Sequence, residues 1–144
     1  MAKQASDCGR LMKEISDCME KEANNALRQH DLTLTQVSAL VVMQEYGEKK
    51  IPLKKLEQLL HVSQPTVNGI VSRLAQKGML GLSEDAEDKR VKYVYLTELG
   101  REKCQSTRIQ KEIMEQRMME ALPEAEQRQF QEMLGKIWRH LFSE

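Results

Sequence analysis

The chain has 144 residues, and its 22 basic and 22 acidic side chains give a formal net charge of zero. This balance argues against a protein whose whole surface attracts nucleic acid, but it allows a local basic face. The composition of 40% hydrophobic and 4% aromatic residues, with seven glycines and three prolines, is typical of a helix-rich globular protein and excludes a linker or a disordered tail. We expect a single domain spanning residues 1–144.

The sequence predicts no membrane segment, because charges interrupt the N-terminus and no run of about 18 apolar residues occurs anywhere. We therefore expect a cytoplasmic protein. Its three cysteines lack CxxC spacing and its three histidines are scattered, so we expect neither a disulfide framework nor a metal site. No motif indicates a cofactor.

Three helices and a tight turn are predicted in the first half of the chain. Apolar residues spaced by three or four predict a first helix over about 3–29. Thr33 and Gln36 form a capping-box pair at the start of a second helix, which Gly47 ends. A short third helix follows Pro52, with Leu53, Leu56, Leu59 and Leu60 as its apolar face, and residues 61–63 form a tight turn.

A fourth helix begins at Ser63, a favourable N-cap, and ends before Gly78. Two short strands follow, over 79–83 and 90–96, joined by an acidic hairpin tip. Thr97 can cap a fifth helix that runs to about Leu122. After Pro123 a last helix carries a broad apolar stripe that includes Phe130, Leu134, Ile137, Trp138 and Leu141.

The order helix, tight turn, helix and β-hairpin is that of a winged helix-turn-helix, in which the second helix enters the major groove. The predicted fold class is mainly α, a winged helix-turn-helix with long N- and C-terminal dimerisation helices and a two-stranded wing. Charge supports a DNA-binding role: residues 47–82 hold six basic and two acidic residues, and residues 58–83 hold no acid.

If Val67, Ile70, Val71 and Leu74 face the core, the fourth helix presents polar side chains on its other side. Gln64 and Asn68 are stacked there, and each amide can pair with adenine, while Arg73 can reach guanine or phosphate. The alternative is an ordinary solvated face. The candidate DNA contacts are Lys54, Lys55, Ser63, Gln64, Thr66, Asn68, Ser72, Arg73, Lys77, Asp88, Lys89 and Arg90.

Residues 32–43, 56–80 and 88–100 resemble the MarR family of bacterial regulators, most specifically through Asp88-Lys89-Arg90 followed by Leu96-Thr97 and Gly100. The resemblance implies that Arg90 is a wing-tip arginine that enters the minor groove and that Asp88 orients it. It also implies a homodimer built from the first and last helices, a palindromic site in double-stranded DNA, and often release by a small phenolic effector or by cysteine oxidation. Residues 33–98 would form the DNA-binding lobe, and residues 3–29 and 99–142 the dimerisation helices.

Two positions depart from the family pattern, because Gly69 and Leu82 stand where many members carry basic residues. An enzyme is disfavoured, since nucleophile-elbow, phosphate-loop and zinc-protease motifs are absent. Two alternatives stay open. The first is a winged-helix protein-interaction module without DNA. The second is a redox-sensing regulator that uses Cys8 and Cys18, although their place on an apolar stripe favours buried thiols.

Overall fold

The computed structural model describes residues 7–143, so residues 3–6 of the predicted opening helix lie outside the described part. The chain divides into two compact units, residues 1–111 and 112–144. The first unit contains helices α1 (Cys8–Leu27), α2 (Leu34–Tyr46), α3 (Leu53–Leu60) and α4 (Gln64–Gln76), with strands β1 (Ile51–Pro52), β2 (Leu80–Glu84) and β3 (Lys92–Leu96). Helix α5 (Glu98–Met119) is divided between the units, and α6 (Glu124–Phe142) belongs to the second.

Local sequence signals set the ends of the central helices. The Thr33 side chain and the Gln36 side chain cap the start of α2 reciprocally, as predicted. Helix α3 is followed directly by His61, which adopts a left-handed conformation, and Gly78, with a φ of +78°, lies two residues after the end of α4. A left-handed residue lets the chain turn sharply away from a helix axis. These two turns set α3 against α4 and lead α4 into the wing.

The core of the first unit lies beneath α2, α4 and the sheet. Val67, Ile70, Val71 and Leu74 of α4 are buried in it, as the helical spacing predicts. Leu56 of α3 is also buried, but Leu59 is 37% exposed, so the predicted apolar face of α3 is only partly covered within this unit. The predicted winged helix-turn-helix is confirmed.

The sheet differs from the predicted two-stranded hairpin, because β1 adds a third strand in the order β1-β3-β2. Ile51 pairs with Val94 and Pro52 with Tyr93. A strand of two residues has no alternation of its own by which a sequence pattern could reveal it. The second wing strand also begins later than predicted, at Lys92, since Arg90 and Val91 donate their backbone N–H groups to Asp88 in a turn.

Each unit leaves an amphipathic helix face uncovered. In α1, Leu11 and Ile15 are 38% and 45% exposed. In α6 no residue is buried, and the exposed apolar side chains include Met133, Ile137, Trp138, Leu141 and Phe142. Within residues 7–143, no helix is long and apolar enough to cross a membrane.

Candidate nucleic-acid interface

The N-terminus of α4 is held by its own side chains. The Ser63 hydroxyl accepts a hydrogen bond from the backbone N–H of Thr66 at 3.4 Å, and the two hydroxyls lie 2.9 Å apart. Pro65 occupies the first turn, where its missing N–H breaks no bond within the helix. The predicted N-cap is confirmed. Ser63 and Thr66 remain solvent-exposed beside it.

The outward side of α4 presents polar side chains to solvent. Gln64, Asn68, Ser72, Arg73 and Gln76 are all exposed, while the opposite side of the helix is buried. Nothing lies within 4 Å of the position that a Cβ would take at Gly69, so this face has an open gap at its middle. Side chains of these types can contact base edges if the helix lies in a major groove. Lys54 and Lys55 are exposed on α3, which precedes the turn.

The structure places Lys77 differently from the other predicted contacts. Its ammonium donates to the backbone oxygen of Asp31 and, at 3.1 Å, to Oε1 of Gln36. The side chain is only 25% exposed. Lys77 is therefore engaged with the segment between α1 and α2 and is not part of the exposed polar face of α4.

The wing tip carries an organised arginine. The guanidinium of Arg90 donates from Nε to Oδ1 of Asp88 at 3.0 Å and from Nη2 to Oδ2 at 3.2 Å. This pairing with Arg90 holds the pKa of Asp88 below its ordinary value. Arg90 is 91% exposed, and Lys89 beside it is exposed as well. The pair presents a fixed cationic head to solvent.

Asp85 is a wing residue whose role the sequence reading missed. Its Oδ2 accepts the backbone N–H groups of Glu87 and Asp88 at 3.2 and 3.1 Å, and its Oδ1 accepts the Tyr93 hydroxyl at 3.4 Å. The Lys50 ammonium lies 4.2 Å from the centre of the Tyr93 ring. Asp85 thereby fixes the turn that holds Asp88. An aspartate two and three residues before the bonded N–H groups is a recognisable turn signal.

The acidic wing tip is partly neutralised by its own bases. Glu84 pairs with Lys92 across the two strands, and Asp88 pairs with Arg90. Asp85 is committed to the turn and to Tyr93. The tip has more acids than bases, but cationic groups lie directly against two of its four acids, Glu84 and Asp88.

The cysteines of α1 are exposed, which corrects the expectation that they are buried within the chain. Ten residues separate Cys8 from Cys18, which corresponds to about 15 Å along a helix and is far beyond the reach of a disulfide. Cys104 is buried, and burial raises the pKa of its thiol. In the described part of the chain, no three His, Cys, Asp or Glu side chains are grouped so that they could hold a metal ion.

A groove of about 730 Å³ lies between α4 and the wing. Asn68, Ser72 and Gln76 of α4 line one side, and Leu82, Ser83 and Lys92 line the other. Two of the predicted DNA contacts, Asn68 and Ser72, therefore border the groove and also belong to the exposed face.

Comparison with known proteins agrees with this geometry. Residues 30–91 match the family model described as the MarR family. The chain is 31% identical over 99 residues to the transcriptional regulator AdcR of Streptococcus pneumoniae, covering 63% of this chain and 68% of AdcR. It is 34% identical over 74 residues to the HTH-type transcriptional regulator SarZ of Staphylococcus haemolyticus, covering 51% of this chain and 49% of SarZ.

The fold is similar to that of MepR of Staphylococcus aureus in a MepR–DNA complex, with a TM-score of 0.86 and 25% identity over 93% of this chain and 98% of that chain. The expectation that the protein is not an enzyme is confirmed, because the relatives it matches are regulators. The chain belongs to the MarR family of transcriptional regulators.

Proposed function

We propose that this regulator binds a specific site in double-stranded DNA, with α4 in the major groove and the wing tip in the adjacent minor groove. The observation that carries the proposal is the exposed polar face of α4 together with Arg90, which Asp88 holds at the wing tip. A narrow minor groove concentrates negative potential that a guanidinium can enter. The similarity to MepR, which was solved in complex with DNA, supports this mode of binding.

Within this proposal the residues divide into two roles. Gln64, Asn68 and Ser72 contact base edges, while Arg73 reaches guanine or phosphate. The sugar-phosphate backbone is contacted by exposed hydroxyl and ammonium groups, which are suited to it. These belong to Lys54, Lys55, Ser63, Thr66 and Lys89. Residues 33–98 form the DNA-binding lobe in this assignment.

The protein acts as a homodimer in this proposal. The apolar faces of α1 and of α6 are each uncovered in their own unit, and a second copy of the chain would supply the missing cover. Two-fold symmetry then requires a pseudo-palindromic DNA site, with half-sites about 34 to 36 Å apart.

We also propose that the regulator is a repressor released by a small aromatic or phenolic effector. What supports an effector is the groove between α4 and the wing, which is roomy and borders Asn68 and Ser72. Such pockets take small, mostly apolar ligands. A ligand there would compete with DNA directly. BpsR of Bordetella bronchiseptica, which shares the fold, has its DNA binding regulated by 6-hydroxynicotinic acid, and that precedent motivates a test with monocyclic phenols.

Selection of bound duplexes from a random pool tests the central proposal. We expect a consensus with dyad symmetry, and an affinity for it that falls steeply as salt rises, because phosphate contacts release counterions. Adding phenols to the purified complex then tests release. If no consensus emerges and no duplex is retained at low salt, the fold serves as a protein-interaction module and the proposal fails.

A further inference from the structure

Lys77 connects two parts of the fold that are far apart in the sequence. It follows the last residue of α4, and its ammonium reaches the backbone oxygen of Asp31, 46 residues earlier, and Oε1 of Gln36, 41 residues earlier. A carboxylate oxygen of Asp31 lies 3.9 Å from the same ammonium. The cation therefore lies against oxygen atoms of Asp31, in the segment that joins α1 to α2, and of Gln36, in the first turn of α2.

The receiving segment is fixed by its own hydrogen bonds. Asp31 has a left-handed backbone with φ of 56°, and Gln36 is only 5% exposed. Oε1 of Gln36 also accepts the Thr33 backbone N–H at 3.2 Å, so both lone pairs of this amide oxygen are used. Asn24 of α1 accepts the Leu34 backbone N–H at 2.7 Å, which links α1 to the start of α2. Lys77 thus meets an ordered acceptor site.

The C-terminal end of α4 is also tied on another side. The Thr97 hydroxyl, just before α5, donates to the backbone oxygen of Gly78 at 2.6 Å, and the Thr97 backbone N–H donates to Met79 at 3.1 Å. Thr97 therefore fixes this end of α4 to the start of α5, whereas Lys77 fixes it to the segment between α1 and α2. Together the two contacts restrict how α4 can tilt.

We propose that Lys77 is a positioning residue, which sets the orientation of α4 for DNA by binding Asp31 and Gln36, and that it does not contact phosphate. To reach a phosphate the ammonium would have to leave its oxygen partners, and Gln36 would lose a partner for a buried amide oxygen. The inference deepens the proposed DNA-binding function and rests on it.

Salt dependence distinguishes positioning from phosphate contact. On the duplex selected by the wild-type protein, Lys77→Met should weaken binding by roughly tenfold, because a disturbed orientation affects every contact of α4. The slope of log affinity against log salt should not change. The matched control Lys89→Met removes an exposed wing cation that we assign to phosphate, and it should reduce the slope by about 0.9.

Two further measurements test the contact itself. The losses of DNA affinity caused by Lys77→Met and by Gln36→Leu should be strongly non-additive, since both variants break the same hydrogen bond. Gln36→Glu keeps an acceptor for Lys77 and for Thr33, so it should preserve the affinity that Gln36→Leu loses. In the free protein, Lys77→Met should speed amide hydrogen exchange at residues 31–36 and 77–79, where the contact joins the two segments.

A slope reduced by Lys77→Met as much as by Lys89→Met, with unchanged amide exchange, would overturn the proposal and restore Lys77 as a phosphate contact. Additive losses in the double variant would also contradict it. If Lys77→Met does not fold, a loss of affinity in Gln36→Glu equal to that in Gln36→Leu would count against the contact. If the wild-type protein selects no duplex, the proposed function fails separately, and amide exchange alone decides whether Lys77 joins the two segments.

Discussion

Asp88 accepts hydrogen bonds from the guanidinium of Arg90 with both carboxylate oxygens. Nε donates to Oδ1 at 3.0 Å, and Nη2 donates to Oδ2 at 3.2 Å. Oδ1 also accepts the backbone N–H of Arg90 at 3.0 Å, so side chain and backbone are bound together. These bonds lower the pKa of Asp88. The ordinary pKa of this carboxyl is 3.8, and the interaction with Arg90 is fully present at any pH above that value. It is lost only as the pH falls through the lowered pKa, so the pair is intact at neutral pH.

Replacing Asp88 separates orientation from charge. Asp88→Asn adds +1 to the wing, which by charge alone should strengthen DNA binding at low salt. If the carboxylate orients Arg90, the same change weakens binding instead, and this is the result we expect. Arg90→Ala should also weaken binding, most on A·T-rich flanks. The affinities of both variants and of their double mutant on one duplex provide the measurement. Stronger binding by Asp88→Asn would show that its negative charge outweighs its orienting role.

Asp85 should matter to DNA binding although it is acidic. Asp85→Ala removes the acceptor of two backbone N–H groups in the wing turn, so we expect a less ordered Arg90 and weaker binding. Glu87→Ala removes the same charge from an exposed neighbour and should strengthen binding slightly at low salt. In a DNA titration at low salt, we expect a lower affinity for Asp85→Ala and a higher affinity for Glu87→Ala than for the wild-type protein. Equal gains in both variants would mean that Asp85 acts only through its charge.

Asn68 and Lys55 should differ in what they contribute. Asn68→Ala removes a side chain assigned to base edges, and it should cost about 1 to 3 kcal/mol on the selected duplex with little effect on random DNA. Lys55→Ala removes an exposed cation of α3 and should weaken both duplexes alike. Competition binding on the two duplexes makes the comparison. Identical specificity losses in the two variants would invalidate the division of roles.

Two glycines offer a test of the fold that is independent of DNA. Gly69 lies in α4 with open space around its missing Cβ, so Gly69→Ala should raise the free energy of unfolding by about 0.5 to 1 kcal/mol. A Cβ at Gly100 would lie 2.1 Å from the backbone oxygen of Met79, so Gly100→Ala should lower the free energy of unfolding by about 1 to 3 kcal/mol. Chemical denaturation of both variants measures the difference. A stabilised Gly100→Ala would contradict the close approach of α5 to residue 79.

The apolar face of α6 should decide the oligomeric state. Ile137 is 49% exposed, and Ile137→Glu would place a charge within the face that we assign to a second copy, so we expect a monomer or a weakened dimer in light scattering. Arg128→Glu is the control. Arg128 precedes Ile137 by nine residues, which is about two and a half helical turns, so it lies on the opposite side of α6. A wild-type monomer at micromolar concentration would refute the homodimer at once.

Much of the winged helix follows from short-range signals. Thr33 and Gln36 cap the start of α2, Ser63 caps the start of α4, and Gly78 turns the chain just after α4. Each signal acts between residues at most a few positions apart. The buried side of α4 follows from the spacing of Val67 and Leu74 with their neighbours. From these the exposed polar face of α4 could be predicted, since a helix with one buried side presents the other to solvent.

Residues whose partners are remote could not be assigned in this way. The sequence marks Lys77 as a cation in a basic stretch, but the tertiary structure turns its ammonium to Asp31 and Gln36, more than 40 positions away. Strand β1 exists only because β3 pairs with Ile51, and Tyr93 reaches Asp85 only across the hairpin. The sequence by itself determined the helices, their caps and the fold class, because those depend on neighbours along the chain. Which cations face solvent and which hold the scaffold together was decided only when packing brought distant donors and acceptors within hydrogen-bonding distance.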